Sequence, residues 1–362
     1  MAKKKTAKKK TAKYKAARAA TLKKLQEPTR IKFVPVSAEI SYARAEKALR
    51  DEVVKFDQQP GKLFFDVGRK FTKGEPQQDF ALRMHVERKA EQGAHCIEKH
   101  CLDGLVPTDV IESSFVQAVG DSDSGAKILS EGNVVEFGTL GLGVFSHKLR
   151  DKFLMTCAHV LSSRFPPLDV ADVLERDLDF LGLMSDNFDR FFSYSDDLDV
   201  GLFFPSVTLD DSELGRFDPA SLPSNVPVPS KISDPRSEDV FGQPNPTIVY
   251  KVGATDGRLT TGFIDSVNLT SPIPIIDGAN VPGLNRPPFA STQSHFLVRT
   301  AHNQGAFAEK GDSGSIVFTG DGRILGMVRA ISNNAGTNPP GFRAVVTKMT
   351  RIRSEFEISV LS

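Results

Sequence analysis

Gly311-Asp312-Ser313-Gly314-Ser315 sits inside Phe307-Ala-Glu-Lys-Gly-Asp-Ser-Gly-Ser-Ile-Val-Phe318, a run of small residues passing directly into an apolar strand. Glycines on either side of a serine let a tight turn expose the hydroxyl while neighbouring backbone N–H groups aim at one point. That is the geometry of a nucleophile beside an oxyanion site. Four residues of this composition are also common in surface turns. The choice depends on whether the chain supplies a base and an orienting acid.

Outward from the turn, the texture is of short apolar runs broken by glycine, which reads as an all-β unit. Downstream lie Ser315–Phe318, Ile324–Ala330 and Gly341–Val346. Upstream lie Thr247–Gly253, Thr260–Val267 and Ser294–Thr300. Further back, Val134–Ser146 reads as a glycine-punctuated strand, joined through His147–Asp151 to a strand over Lys152–Ala158. His159 stands at the end of that strand. Leu198–Phe204 is another strand, with Asp199 at its start. Residues 205–247 are rich in Pro, Ser and Asp and read as a linker between two halves of one unit. Lys348–Val360 reads as a short amphipathic helix.

His159, Asp199 and Ser313 therefore occur in that order, each with the neighbours its role requires. Small Ala158 lets the imidazole turn inward. Val200-Gly-Leu after Asp199 favours burial of its carboxylate, which sets it above its competitors Asp196 and Asp197. The glycines free the N–H groups of Gly311 and Ser313 for an oxyanion. Each residue alone has an ordinary structural reading: a surface or core histidine, a capping aspartate, a turn serine. Together they read as a nucleophile, its base and an orienting acid.

The blocks Thr156-Cys-Ala-His159, Asp199-Val-Gly-Leu202 and Gly311-Asp-Ser-Gly-Ser315 resemble those of the chymotrypsin-like serine peptidases, over about residues 130–358. Gly138-Thr-Leu-Gly141, Lys251-Val-Gly253, Thr261-Gly262, Leu325-Gly-Met-Val328 and Pro340–Thr347 add secondary matches. The resemblance implies a mainly β, two-barrel peptidase unit in which Ser313 is the nucleophile and His159 the general base and then acid. Asp199 would orient the imidazole. It implies a polypeptide substrate and no cofactor.

The departures from the family pattern also carry expectations. Val160 and Glu309-Lys310 stand where secreted members have cysteines, and no Ile-Val-Gly-Gly-like start is visible. Activation through a freed N-terminus is therefore not expected. The base of the first specificity pocket falls at Phe307, six residues before Ser313, flanked by Ala330 and Gly341. No acid sits there, so an apolar or small side chain is expected rather than Lys or Arg.

Residues 31–116 read as a small α/β segment: a helix over Ala43–Phe56, a hairpin over Leu63–Phe71 and Phe80–Arg88, and a strand over Pro107–Glu112. Residues 63–116 look like the small domain preceding the peptidase unit in intracellular trypsin-like proteins. Within it, His95-Cys96-Ile-Glu-Lys-His100-Cys101 crowds four soft ligands together. No second ligand pair follows at zinc spacing, so no metal is expected.

Residues 1–25 hold ten lysines and Arg18 and no acid; of the 46 basic residues this leaves 35 against 45 acidic ones, so a basic arm is joined to a body of formal charge −10. Such an arm is expected to be disordered and suited to non-specific contact with nucleic acid or an acidic partner. It could equally be a solvated tail. The three cysteines, Cys96, Cys101 and Cys157, cannot form a disulfide framework. With no signal peptide and no apolar run long enough to span a bilayer, an intracellular protein is expected, cytoplasmic or nuclear/nucleoid-associated and not secreted.

The expected organisation is a basic tail over 1–28, an α/β domain over 29–118 and a peptidase domain over 119–362. The last divides into barrel 1 at about 130–210, a linker at about 211–246, barrel 2 at about 247–346 and a C-terminal helix at about 348–360. Two functions fit: a serine endopeptidase, or a catalytically silent peptidase-fold scaffold tethered to nucleic acid by its lysine arm.

Overall fold

The computed structural model describes residues 41–57, 62–72, 75–86, 100–101, 106–112, 115–117, 126–127, 134–135, 139–158, 160, 188–195, 198–205, 215–217, 219, 222–253, 259–267, 269, 273–276, 289–290, 294–301, 305–332 and 342–361. Ser41 opens the first helix, its carbonyl accepting the Ala45 amide at 3.1 Å and its hydroxyl the Arg44 amide at 3.3 Å, which satisfies donors left over at a helix start. This helix, α1 (Tyr42–Asp57), buries Tyr42, Ala45, Ala48 and Leu49 as a stripe at helical spacing. It packs on a hairpin of β1 (Lys62–Thr72) and β2 (Glu75–Val86). β2 starts earlier than its apolar run because Glu75 and Pro76 still pair with Thr72 and Phe71. β3 (His100–Cys101) and β4 (Val106–Glu112) complete a sheet of order β1-β2-β4-β3, with β4 parallel to β2.

Three short strands follow, β5 (Phe115–Gln117), β6 (Ala126–Lys127) and β7 (Val134–Val135). β8 (Gly143–Ser146), β9 (Asp151–Thr156), β10 (Phe188–Ser195) and β11 (Val200–Pro205) form the first sheet of the larger β unit. The single strand expected over residues 134–146 is thus two, β7 and β8. Between them, the Thr139 and Gly141 amides donate to the Ser313 and Met155 carbonyls at 2.6 and 2.7 Å.

The second half begins with β12 (Lys231–Ile232), parallel to a later strand. β13 (Ile248–Val252), β14 (Leu259–Ser266), β15 (Ile273–Ile276), β16 (Phe289–Ala290), β17 (His295–Thr300), β18 (Ile316–Thr319), β19 (Arg323–Ser332) and β20 (Arg343–Lys348) follow. Six of them close on themselves. β13 pairs β14, β14 pairs β17, β17 pairs β20, β20 pairs β19, β19 pairs β18, and β18 returns to β13 through Tyr250↔Phe318. Every strand in this ring is antiparallel to its neighbours, and the return of β18 to β13 closes it into a barrel. Residues 222–247 are not a free connection: Leu222, Val226, Val240 and Phe241 are buried, and Asp239 is held by Arg323 at 3.1 Å.

α2 (Met349–Phe356) turns its buried Met349, Ile352 and Phe356 inward and stops at Glu357, whose φ of 49° is left-handed. The chain then continues as β21 (Ile358–Val360), pairing with β8 and completing the order β10-β11-β9-β8-β21. One apolar cluster joins this sheet to β18, β19 and α2. Another runs from α1 and the β1/β2 hairpin into the barrel through Phe296, Val298, Val317 and Val328.

A buried ionic seam reinforces that second contact. Arg83 grips Asp66 through Nε at 2.7 Å and Nη2 at 2.5 Å, and reaches Asp265 on β14 at 3.1 Å. Arg343 meets the same Asp265 at 2.9 Å, and Arg299 lies 4.0 Å from it. Gly68 makes the seam possible, since a Cβ there would lie 2.2 Å from the Arg83 guanidinium carbon. Burial alone would raise both carboxyls. Arg83 and His85 instead hold Asp66 down at about 2, and Arg83, Arg343 and Arg299 hold Asp265 below the ordinary carboxylate range. Among the described residues, no helix is long and apolar enough to cross a membrane.

Candidate active site

The serine turn is built from two positive-φ glycines, Gly311 at 97° and Gly314 at 98°. Asp312 donates its amide to the Glu309 carbonyl at 3.1 Å, and Ser315 donates to Asp312 at 2.9 Å. The first half of the unit clamps the turn from above. The Thr139 amide donates to the Ser313 carbonyl at 2.6 Å, the Thr139 hydroxyl to the Gly311 carbonyl at 2.8 Å, and the Thr156 hydroxyl to the Thr139 carbonyl at 2.7 Å. Glycine is obligatory at 314: a Cβ there would lie 1.8 Å from the Thr139 carbonyl oxygen.

Beneath the turn lies an ion pair that motif reading missed. Lys251 Nζ donates to Asp312 Oδ2 at 2.6 Å, and both side chains are almost wholly buried. The Glu309 amide donates to the same oxygen at 2.8 Å. Gly253 leaves the room, since a Cβ there would lie 1.9 Å from Asp312 Oδ1. The available signal was a lone lysine in the apolar strand Ile248-Val-Tyr-Lys-Val252. With both charges internal, the turn is held by the chain's own lysine.

Asp199 is buried and in the left-handed region at φ 54°. Its carbonyl accepts the Ala158 amide at 3.1 Å, and the Leu198 carbonyl accepts the Thr347 hydroxyl at 3.1 Å, so both halves of the unit fix this corner. Asp199 Oδ2 lies 3.4 Å from Nε of Arg329 on β19. Ser313 Oγ donates to the backbone carbonyl of the same Arg329 at 3.1 Å. Two of the three expected residues thus converge on one residue of one strand. Arg329 Nη1 also meets His295 Nε2 at 3.2 Å, which makes that nitrogen an acceptor beside the guanidinium donor. Neither Arg329 nor His295 was singled out from the sequence, because each reads as an ordinary position in a strand.

His159 lies outside the described residues; its neighbours Ala158 and Val160 are buried. Cys157 is buried and donates its thiol to the Val328 carbonyl at 3.2 Å. Burial, and then the nearby Asp199 carboxylate, push that thiol well up, away from nucleophilic thiolate. Of the residues expected around the specificity pocket, Phe307 is fully buried in the barrel core, with its amide on Thr300 Oγ1 at 2.9 Å and its carbonyl on Thr260 Oγ1 at 2.7 Å. Ala330 is buried on β19, and Gly341 lies outside the described residues. His100 and Cys101 form β3; His95 and Cys96 are not described, and among the described residues no cluster of His, Cys, Asp or Glu is arranged to hold a metal.

A closed antiparallel barrel packed against a second β sheet, with the serine turn clamped between them, decides the architecture. The fold is chymotrypsin-like. Among solved structures, the chymotrypsin-like match to the Nocardiopsis protease NAPase covers 66% of this chain and 96% of that one, at 12% identity and a TM-score of 0.39. Protease A of Thermobifida fusca matches over 62% of this chain and 92% of its own, at 13% identity and TM-score 0.38. The MamO protease domain of Magnetospirillum magneticum matches over 64% and 93%, at 11% identity and TM-score 0.31. No protein-family model matches the chain, and no curated protein does.

Proposed function

We propose that this protein is a serine endopeptidase acting through an acyl-enzyme on Ser313. The observation that carries the proposal is the convergence of Asp199 and Ser313 on Arg329, with Ala158, the neighbour of His159, bonded to the Asp199 carbonyl. Ser313 Oγ attacks the scissile carbonyl carbon as its proton passes to His159. The Asp199 carboxylate stabilises the imidazolium, and the N–H groups of Gly311 and Ser313 receive the developing oxyanion. The amine departs with the proton from His159. Water, deprotonated in turn by His159, then releases the acid and restores Ser313.

Lys251 and Asp312 act on this chemistry indirectly, by holding the turn on which both oxyanion donors lie. The rigidity of the turn, clamped by Thr139 above and Lys251 below, supports donors fixed before charge develops. Hydrolysis of a small N-acyl amino-acid ester tests the reading. Ser313→Ala and His159→Ala should each reduce turnover by several orders of magnitude, with Asp199→Asn close behind. Ester turnover that survives in Ser313→Ala would exclude this serine as the nucleophile.

A further inference from the structure

One edge of β19 carries three things in succession. β18 covers it first, pairing with Ile324, Gly326 and Met327. The serine turn follows, with the Gly314 amide on the Val328 carbonyl at 2.9 Å and the Val328 amide on the Ser315 carbonyl at 2.8 Å. Beyond it, Ala330, Ile331 and Ser332 pair antiparallel with Gln117, Val116 and Phe115 of β5. On the other edge β20 pairs Val346 with Val328 and Val345 with Ala330, so Arg329 is the extra residue of a bulge. A bulge re-aims the backbone locally, and here the Arg329 carbonyl reaches the Ser313 hydroxyl at 3.1 Å.

A polypeptide offered to Ser313 must lie extended, so that its scissile carbonyl enters the turn while its flanking amides find partners. Adding a strand to the neighbouring sheet edge is the general solution. The edge beside Ser313 is Ala330–Ser332, and the chain's own β5 is already on it. Its direction also suits, because antiparallel pairing puts the C-terminal residue Gln117 opposite Ala330, at the end nearest the serine. That is how the acyl side of a substrate would run. β5 is held on its far side too, by parallel pairing of Phe115 and Val116 with Ile275 and Ile276 of β15.

We infer that Phe115–Gln117 is an intramolecular occupant of the substrate edge, an autoinhibitory strand whose displacement admits polypeptides. The inference rests on the peptidase reading above. It concerns only extended substrates, since a single-residue ester needs the turn but not the β19 edge.

The test compares two substrates on the full chain: an N-acetyl amino-acid ester, and the same ester lengthened by three residues on the acyl side. In an open site the added residues contribute binding energy that raises kcat/KM. Here the wild type should treat the two within about threefold, whereas Val116→Pro, which removes an N–H and disfavours the strand, should favour the long ester by roughly 30-fold or more. Short-ester turnover should stay unchanged. Replacing Phe115, Val116 and Gln117 together by glycine is the second variant, should proline prevent folding. A large preference for the long ester in the wild type overturns the inference, and so does its absence in a folded variant. If no protein hydrolyses either ester, the peptidase reading falls and the autoinhibitory strand with it.

Discussion

Lys251→Met is the most informative change away from the nucleophile. The pair it breaks is 2.6 Å long and buried, and Asp312 would keep only the Glu309 amide at 2.8 Å on its Oδ2. Removing one partner of a buried ion pair leaves an uncompensated charge, at a cost of about 3–5 kcal/mol. The carboxylate must then take up a proton or pull the turn towards water. At the lower bound, unfolding temperature should fall by roughly 6–12 °C. Displacing the turn moves the Gly311 and Ser313 amides, and loss of oxyanion donors costs about 10²–10³ in rate. Labelling kinetics with a fluorophosphonate probe and thermal unfolding measure the two effects separately. Lys251→Met/Asp312→Asn removes the stranded charge and keeps an acceptor for Glu309, so it should recover much of the lost stability. Wild-type labelling and unfolding in Lys251→Met would refute the assignment of the pair as the support of the turn.

Other consequences can be checked on stability and reactivity. Gly314→Ala forces a Cβ to 1.8 Å from the Thr139 carbonyl and strains a φ of 98°, so it should destabilise by at least about 3 kcal/mol in denaturant unfolding. The Asp66 carboxyl, held down at about 2, stabilises the fold fully above its unfolded value near 4 and loses that contribution, on the order of 2 kcal/mol, as pH falls towards 2. Burial lowers the His85 imidazole below its ordinary value despite Asp66, so some stability should already be lost as pH falls below about 6.5. Unfolding followed against pH should show both, and Asp66→Asn should flatten the lower part. Cys157, buried with its thiol pushed up, should react with iodoacetamide only after denaturation; labelling in the native protein, located by peptide mapping, would contradict its placement.

The features legible in the sequence are those determined by a few adjacent residues. Gly311–Ser315 encodes its own turn, and α1 and the β1/β2 hairpin follow from apolar spacing between polar breaks. Ring closure was expected only through the family resemblance and not from strand patterns, because the pairing of β18 with β13 joins strands far apart in the chain and neither strand's periodicity names its partner. The buried charges were hidden for a related reason. Lys251, Arg83 and Arg329 are charged residues within strands, and only tertiary packing gives each its carboxylate. β5 is three residues long, too short for a periodic signal, yet its register along β19 gives it a place beside the serine. The burial of Asp199 was legible from Val200-Gly-Leu, but its contact with Arg329 was not.

The central claim is that Ser313 is an activated nucleophile. Intact mass measurement after exposure to a fluorophosphonate tests it most directly. The account predicts a single phosphonyl adduct on the wild type, mapped to the Ser313 peptide and absent from Ser313→Ala. A folded wild-type protein that takes up no adduct at any pH between about 7 and 9, the range in which a histidine base is largely deprotonated, would contradict it.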